Sequence, residues 1–378
     1  MINKGFAKIK ILLLFLLILS PLHSVAGWLG DTFIDPVDKQ LDMSNWLLEK
    51  KGFLPVPVII TEPAIGYGGG LALVYFHDKM GAKKGTPPSV SAVVGAATEN
   101  GTWFAGGGHM GIWDDDNIRY TGALGTGLIK MDYYGLTSSG TQFETDTVFL
   151  LQELQFRLWD SPFFAGLGYL FVDTKNNFKL RSQDINNPAL DLPGVDFDSR
   201  SAALSLIVNY DSRDNLFTPS SGINAELKLM DFNKNWGGDD NFSRYKASVL
   251  SYTPINDKLI LGLRADAETI DGDAPFYAYP FIDMRGIKSM RYQGDKTLLG
   301  EIELRWEFIP RWSLVGFGGA GKAYNDSQKG DSDTVYSKGL GMRYLIAKKL
   351  GLQMGVDIAK GPEDTAFYIQ FGSSWSLK

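Results

Sequence analysis

The chain has 378 residues, a formal net charge of -6 and no cysteine. The lack of cysteine excludes disulfide bonds and thiolate metal sites. The acidic balance argues against nucleic acid as a partner, because nucleic-acid binding needs clustered positive charge.

The N-terminus has the pattern of a secretory signal peptide. Lys4, Lys8 and Lys10 precede an apolar run over residues 11–19, and Ser24-Val25-Ala26 follows as a small-residue cleavage site. The run is too short to span a bilayer, which takes about 20 residues. We therefore predict a signal peptide over residues 1–26, and its removal takes away three lysines and no acid, moving the formal charge from -6 to -9.

Residues 27–52 form a short leader, predicted to be periplasmic. Asp35-Pro36 is typical of a helix N-cap followed by proline at the first helical position, and it predicts one helix over residues 36–50. Three interpretations remain open for this segment: a plug in a lumen, a helix at the membrane interface, or a loosely ordered linker.

From residue 53 to residue 378 the chain alternates between apolar and polar residues, with no apolar run long enough for a spanning helix. Lipid then leaves a closed β-barrel as the way to satisfy the backbone. The alternation is cleanest near residue 300, where Ile302, Leu304, Trp306 and Phe308 oppose Glu301, Glu303, Arg305 and Glu307. An apolar face opposite a charged one suits a wall between lipid and a polar interior.

The pattern predicts an all-β protein, a 16-stranded antiparallel transmembrane β-barrel. Connections after even-numbered strands are mostly short, as at Pro310-Arg311, and several after odd-numbered strands are long, as at 271–296. Outer-membrane barrels have short periplasmic turns and long outer loops, so this parity fits a chain that starts in the periplasm. Fourteen strands is the main rival count. The predicted strands are 53–61, 66–77, 88–98, 102–113, 117–131, 144–158, 162–175, 197–210, 222–233, 242–253, 258–270, 297–308, 312–323, 334–347, 350–360 and 365–375.

Several motifs in the second half of the chain resemble those of one known family. A turn carries Asp211, Arg213 and Asp214, followed by Pro219 and Gly222; the long 271–296 connection carries Arg285-Gly286; Glu303 lies on the next strand; Phe317 and Gly321 follow it; and the last predicted strand ends at the aromatic Trp375. In this order they resemble the BamA/TamA-type outer-membrane assembly factors, also called the bacterial surface antigen family.

The resemblance implies a barrel with a long loop folded into its lumen and a weak seam between the first and last strands. It also implies periplasmic POTRA domains that bind client proteins, but residues 27–52 are too few for one, so a periplasmic partner would have to supply that role. A second departure is Gly319, which stands where the family has the carboxylate that holds the loop arginine. Arg285 then needs another acid, and Glu303 or Glu301 is the candidate.

The first strand carries Pro55 and Pro57. Proline donates no ladder hydrogen bond and is confined to sheet edges, so these two residues predict incomplete pairing at a seam that opens sideways. A proline-rich entry into a fully paired strand is the equal alternative.

The sequence predicts no catalytic step, cofactor or metal. After the signal peptide the histidines are His77 and His109, without zinc spacing; one of them with a nearby serine could act on outer-membrane lipid, but nothing in the spacing marks such a site. We predict a protein of the Gram-negative outer membrane, in contact with its lipid, that aids insertion or export of client proteins or lipids. The alternative is a passive pore whose charged wall sets selectivity.

Overall fold

The computed structural model describes residues 33–49, 52–78, 88–134, 140–179, 195–325 and 334–375. The predicted signal peptide lies outside the described residues. Sixteen strands pair in chain order into one antiparallel sheet that curls into a nearly closed barrel. The strands are β1 Gly52–Ile60, β2 Gly68–Phe76, β3 Val90–Thr98, β4 Trp103–Trp113, β5 Ile118–Tyr133, β6 Thr141–Arg157, β7 Phe163–Lys179, β8 Val195–Asp211, β9 Gly222–Phe232, β10 Phe242–Asn256, β11 Leu259–Gly272, β12 Lys296–Ile309, β13 Trp312–Tyr324, β14 Val335–Ala347, β15 Leu352–Lys360 and β16 Thr365–Phe371.

The predicted strand count of sixteen is confirmed, and so is the direction of the faces. In β12 burial alternates residue by residue: Trp306 is 50% exposed, whereas Glu303 is 6% exposed. The apolar side chains therefore point outward, toward lipid, and the charged side chains point into the barrel. None of the described helices is long and apolar enough to cross a membrane.

The sheet has two free edges. It starts at β1 and ends at β16, and no ladder joins these two strands among the described residues. Pro55 and Pro57 lie on β1, opposite Leu73 and Leu71 of β2. The strand that carries the prolines is thus an edge strand, which is where proline is tolerated.

The predicted leader helix over residues 36–50 is wrong. The helix α1 covers only Ser44–Leu48, and the preceding residues turn back on themselves through a bridge between Ile34 and Leu41. Asp35 caps a turn instead of a helix, because its carboxylate accepts the Val37 amide at 2.8 Å. Such local side-chain bonds compete with helix formation.

The last strand also ends earlier than predicted, at Phe371 instead of residue 375. Gly372 has a φ of +74°, and a Cβ there would lie 2.5 Å from the carbonyl oxygen of Phe217. The chain leaves the wall at this glycine, and Trp375, 3% exposed, is buried away from the lipid-facing side.

Candidate functional site

The buried face of β12 binds a neighbouring strand, a loop and a turn. Glu301 binds Arg264 of β11, with Nη1 at 2.6 Å from Oε2. Glu303 accepts a hydrogen bond from Arg285, in the connection over 273–295, which we call the Arg285 loop. Arg305 donates to the carbonyl oxygen of Pro219, in the β8–β9 turn, at 2.7 Å. The alternating stripe of charge seen in the sequence is thus an internal attachment surface.

Arg285 is held by two carboxylates from different strands. Its Nη2 lies 2.8 Å from Glu303 of β12, and its Nη1 lies 2.8 Å from Asp357 of β15. Its Nε lies 4.0 Å from Glu301, which is too long for a hydrogen bond. Of the two candidate acids, the structure therefore gives Glu303 as a direct partner and leaves Glu301 at the edge of the contact.

Sequence reasoning missed Asp357 as a partner of Arg285. This carboxylate is fully buried and also binds both Nη atoms of Arg343, at 2.5 and 2.9 Å. The alternation of β15 identifies Asp357 as inward-facing, but it does not say which loop residue reaches it. That information lies in the closure of the barrel, which brings β15 opposite the Arg285 loop.

There is no room for a carboxylate side chain at Gly319, the position where the family carries one. A Cβ on Gly319 would lie 2.8 Å from Glu301 Cγ and 3.0 Å from Met284 Sδ. Nearby, the ring of Phe317 takes the Arg285 guanidinium over its face, 3.5 Å from Cζ to the ring centroid. Phe317 therefore contacts the loop arginine directly. Because Gly319 has no side chain, the loop can pack against it.

Two further contacts hold the Arg285 loop against the strands. The Gly286 amide donates to the Tyr368 hydroxyl of β16 at 2.8 Å, and Gly286 has a φ of +88°, which glycine adopts without strain. Ile282 of the loop packs so closely on Gly321 that a Cβ there would lie 2.6 Å from its Cγ2. The loop is thus seated on β13 and reaches β16, next to the free edge of the sheet.

The β8–β9 turn is a second inward structure. Asp211 binds Arg213, with Nε at 2.8 Å, and also binds Arg119 of β5. The Asp214 carboxylate accepts the amides of Ser220 and Ser221, and Gly222, with a φ of +100°, closes the turn. These motif residues fold the turn, and the folded turn presents the Pro219 carbonyl to Arg305.

The C-terminal segment after β16 binds the same stripe of β12. Trp375 Nε1 donates to Glu301 at 3.1 Å, and Ser374 Oγ donates to Glu303 at 3.2 Å. Its neighbour Ser373 donates its amide to the Phe217 carbonyl, in the β8–β9 turn, at 2.7 Å. The end of the last strand, the turn and the Arg285 loop are therefore joined through one strand.

The interior charges balance. The cluster, which we call the β12 network, contains four arginines and four carboxylates, and each of the eight is less than 8% exposed. Charges removed from water are costly unless paired. Seven of the eight form ion pairs with one another, and the eighth, Arg305, donates to the Pro219 carbonyl. Its members are Arg264, Arg285, Arg305, Arg343, Asp266, Glu301, Glu303 and Asp357.

The leader is fastened to the short-turn end of the barrel by a second arginine. Arg311, in the β12–β13 turn, binds Asp35 and Asp38 at 2.5 Å each and Asp42 at 2.9 Å. Burial alone would lower the pKa of Arg311, but the carboxylates of Asp38 and Asp42 raise it above its ordinary value. The described part of the leader, residues 33–49, is therefore docked against the barrel by these ion pairs.

Apolar contacts continue the docking across the free edge. Leu47 of α1 forms a cluster with Ile346 and Ala347 of β14. Leu352 of β15 and Leu54 of β1 pack against the same cluster. Side chains from both sides of the gap between β1 and β16 thus share one apolar contact with the leader.

No group of three or more histidine, aspartate or glutamate side chains suited to a metal ion occurs in the part of the chain that the structure describes. The chemistry available to the β12 network is ion pairing and hydrogen bonding.

Comparison with known proteins identifies the family. The model of the Omp85 superfamily domain matches residues 130–375, and the chain belongs to the Omp85 superfamily. This family and the barrel fold make it an outer-membrane β-barrel protein. No curated protein sequence matches the chain.

Solved structures support the same fold at low sequence identity. BamA from Haemophilus ducreyi lacking POTRA domains 1–3 aligns with a TM-score of 0.59 and 14% identity, over 86% of this chain and 70% of that one. CdiB from Acinetobacter baumannii gives 0.55 and 9%, over 84% and 59%. CdiB from Escherichia coli gives 0.57 and 11%, over 83% and 61%. The chain thus spans less than two thirds of both CdiB chains.

Proposed function

We propose that this protein is an insertion or export factor of the Gram-negative outer membrane, working through a seam between β1 and β16 and without a catalytic step in its lumen. The observation that carries the proposal is the pair of unjoined edge strands, beside which the Arg285 loop, the C-terminal segment and the leader all converge. An unpaired edge is a template on which another chain adds a strand. A client strand, or a lipid passing sideways, is the occupant we expect there.

The contacts of the β12 network support the proposal that the segments bound to it act as a gate. The Arg285 loop, the β8–β9 turn and the C-terminal segment all end on one strand, so a change in one alters the contacts of the others. We propose that the loop occupies the bore and keeps the resting barrel closed. We also propose that a periplasmic partner binds the client proteins, which is the role of POTRA domains in the family.

A passive pore is the weaker candidate, because the wall charges are already engaged. Glu301, Glu303 and Arg305 bind other parts of the chain instead of lining an open path. Conductance in planar bilayers separates the two functions. We expect rare, brief openings, and a steady open conductance would favour the pore.

Locking the seam tests the proposal directly. The chain has no cysteine, so one cysteine in β1 (Ile59→Cys) and one in β16 (Ile369→Cys), both on the outward face, are the positions chosen for a short thiol crosslinker. We expect the linked protein to lose its acceleration of client-barrel folding into phospholipid vesicles, and a cleavable linker to restore it after reduction.

The matched control joins two strands that are already paired. Leu206 and Leu229 lie directly opposite each other on β8 and β9, and the crosslinked pair Leu206→Cys and Leu229→Cys should leave the folding rate of the client unchanged. Equal client folding with the seam open and locked would overturn the proposal.

A further inference from the structure

The outer wall carries a serine between two histidines. Nε2 of His77, the residue after β2, lies 2.8 Å from Oγ of Ser91 in β3. The same Oγ lies 2.8 Å from Nδ1 of His109 in β4. These three residues, which we call the Ser91 cluster, come from three neighbouring strands and touch none of the residues of the β12 network.

The Ser91 cluster points toward lipid. Ser91 pairs with His109 across β3 and β4, and two residues further along the same face Val93, 55% exposed, pairs with Gly107. Side chains two apart on a strand share a face, so Ser91 and His109 lie on the outward side with Val93. The cluster is therefore open to the molecules that surround the barrel.

Its depth matches the ester linkages of phospholipids. Ser91 is the second residue of β3, and His109 precedes the short Asp114–Asp116 turn by five residues. The His109 ring lies 6.0 Å from that of Trp113 and 5.9 Å from that of Tyr120, two aromatic side chains at the end of the wall. Aromatic girdles mark the level of the headgroups, which is where acyl esters meet the hydrocarbon.

We propose that Ser91 is a catalytic nucleophile toward the acyl ester of a phospholipid in the periplasmic leaflet. A serine hydroxyl within hydrogen-bond reach of a histidine is the arrangement that activates serine in acyl transfer. In this assignment the Ser91 hydroxyl donates to Nδ1 of His109, and Nε2–H of His77 donates to Ser91 Oγ, beside the position where the oxyanion forms.

The reaction balances with water as the second reactant. Ser91 Oγ forms a bond to the ester carbonyl carbon while His109 takes the hydroxyl proton. The bond to the glycerol oxygen then breaks, and His109 returns the proton to that oxygen, releasing a lysophospholipid. Water then attacks the carbonyl carbon of the acyl-serine while His109 takes its proton. The bond between that carbon and Ser91 Oγ breaks, His109 returns the proton to Oγ, and a fatty acid leaves.

The test uses the full chain refolded in vesicles of phosphatidylethanolamine. A fluorophosphonate probe, which reacts with activated serines, should label Ser91, as located by mass spectrometry, and fatty acid should accumulate. Ser91→Ala should abolish both signals, and His109→Gln should slow release by about 100-fold or more, the usual range for loss of a general base.

The matched control is Ser251→Ala. Ser251 faces outward on β10 and pairs with Leu263, near the short-turn end of the opposite wall and without a histidine nearby. It should behave as the unmodified chain does, and heat-modifiable migration on gels verifies that every variant is folded. Fatty-acid release that is the same with and without Ser91→Ala, or no labelling of Ser91, would overturn the assignment. Neither result bears on the seam, which the crosslinks test separately.

Discussion

Two arginines hold segments outside the strands to the same barrel, and they do so in different surroundings. Arg285 brings a loop to strand carboxylates, Glu303 and Asp357, that are themselves buried in the wall. Arg311 belongs to a turn of the wall and receives carboxylates from the leader, Asp35 and Asp42 among them. In the first case the acids are fixed and the cation is brought in; in the second the cation is fixed and the acids are brought in.

The difference lies in what remains when the contact opens. Opening the Arg285 contact leaves the buried Glu303 of β12 without its guanidinium and the buried Asp357 of β15 with Arg343 alone, which is strongly unfavourable. Opening the Arg311 contact returns the Asp35 and Asp38 side chains, which are 10% and 21% exposed in the docked leader, to water at the barrel rim. We therefore expect the Arg285 contact to behave as a permanent part of the fold and the Arg311 contact to open under milder conditions.

The largest expected effect is that of Arg285→Ala. The substitution leaves Glu303 without its guanidinium partner and leaves Asp357 with Arg343 alone, so the free energy of unfolding should fall by about 3–5 kcal/mol. Urea titration of the barrel in vesicles, followed by tryptophan fluorescence, measures it. Arg291→Ala in the same loop is the control: Arg291 pairs with the partly exposed Glu363, and its loss should cost about 1 kcal/mol or less. Equal losses for the two variants would contradict the comparison.

A smaller effect is expected for Arg311→Ala. The barrel should remain folded, but the leader should open more often, because it loses its contacts with Asp35 and Asp38 and a charge-assisted hydrogen bond to Asp42 worth roughly 1.5–3 kcal/mol. Cleavage by trypsin after Lys39 should accelerate about tenfold or more, since each 1.4 kcal/mol is a factor of ten in the population of the open form.

Lys348→Ala is the matched control for this variant. Lys348 lies 3.6 Å from Asp35 and is half exposed, so its loss should change the cleavage rate little. Cleavage of the Arg311 variant at the rate of the unmodified chain would show that the apolar cluster around Leu47 alone holds the leader.

The sequence predicted the wall well, because alternation is a local property. Strand β12 shows it: Ile302 and Trp306 face outward and Glu301 and Glu303 inward, as their positions two apart require. A shift of one residue would move every side chain to the opposite face of the sheet. The period of two therefore predicts both the strand and which of its side chains face lipid.

The contacts between distant parts of the chain could not be predicted in the same way. Asp357 reaches Arg285, and His77 and His109 reach Ser91, only because register and curvature bring separate strands together. The spacing of the two histidines along the chain carries no trace of the serine between them. At the leader, Asp35 caps a turn and not the predicted helix, and the sequence does not distinguish the two because both begin with the same carboxylate-to-amide hydrogen bond.

The smallest expected effect is the response of the leader to acid. A hydrogen bond from the Val37 amide, with help from Lys348 and Arg311, lowers the pKa of Asp35. Burial alone would raise the pKa of Asp42, but hydrogen bonds from Ser44 and Arg311 hold it below the ordinary value. Carboxyl groups with lowered pKa stabilise docking above their free value, about 3.9, and this stabilisation is lost as the pH falls through the lowered values.

A fluorophore on Val37→Cys, an 82% exposed position in the leader, measures the release. Its anisotropy should stay constant from about pH 7 to pH 5 and fall below about pH 4, and the fall should be smaller in the Arg311→Ala background, which lacks the partner of these carboxylates. A fall in anisotropy between pH 7 and pH 5 would mean that groups other than these carboxylates hold the leader.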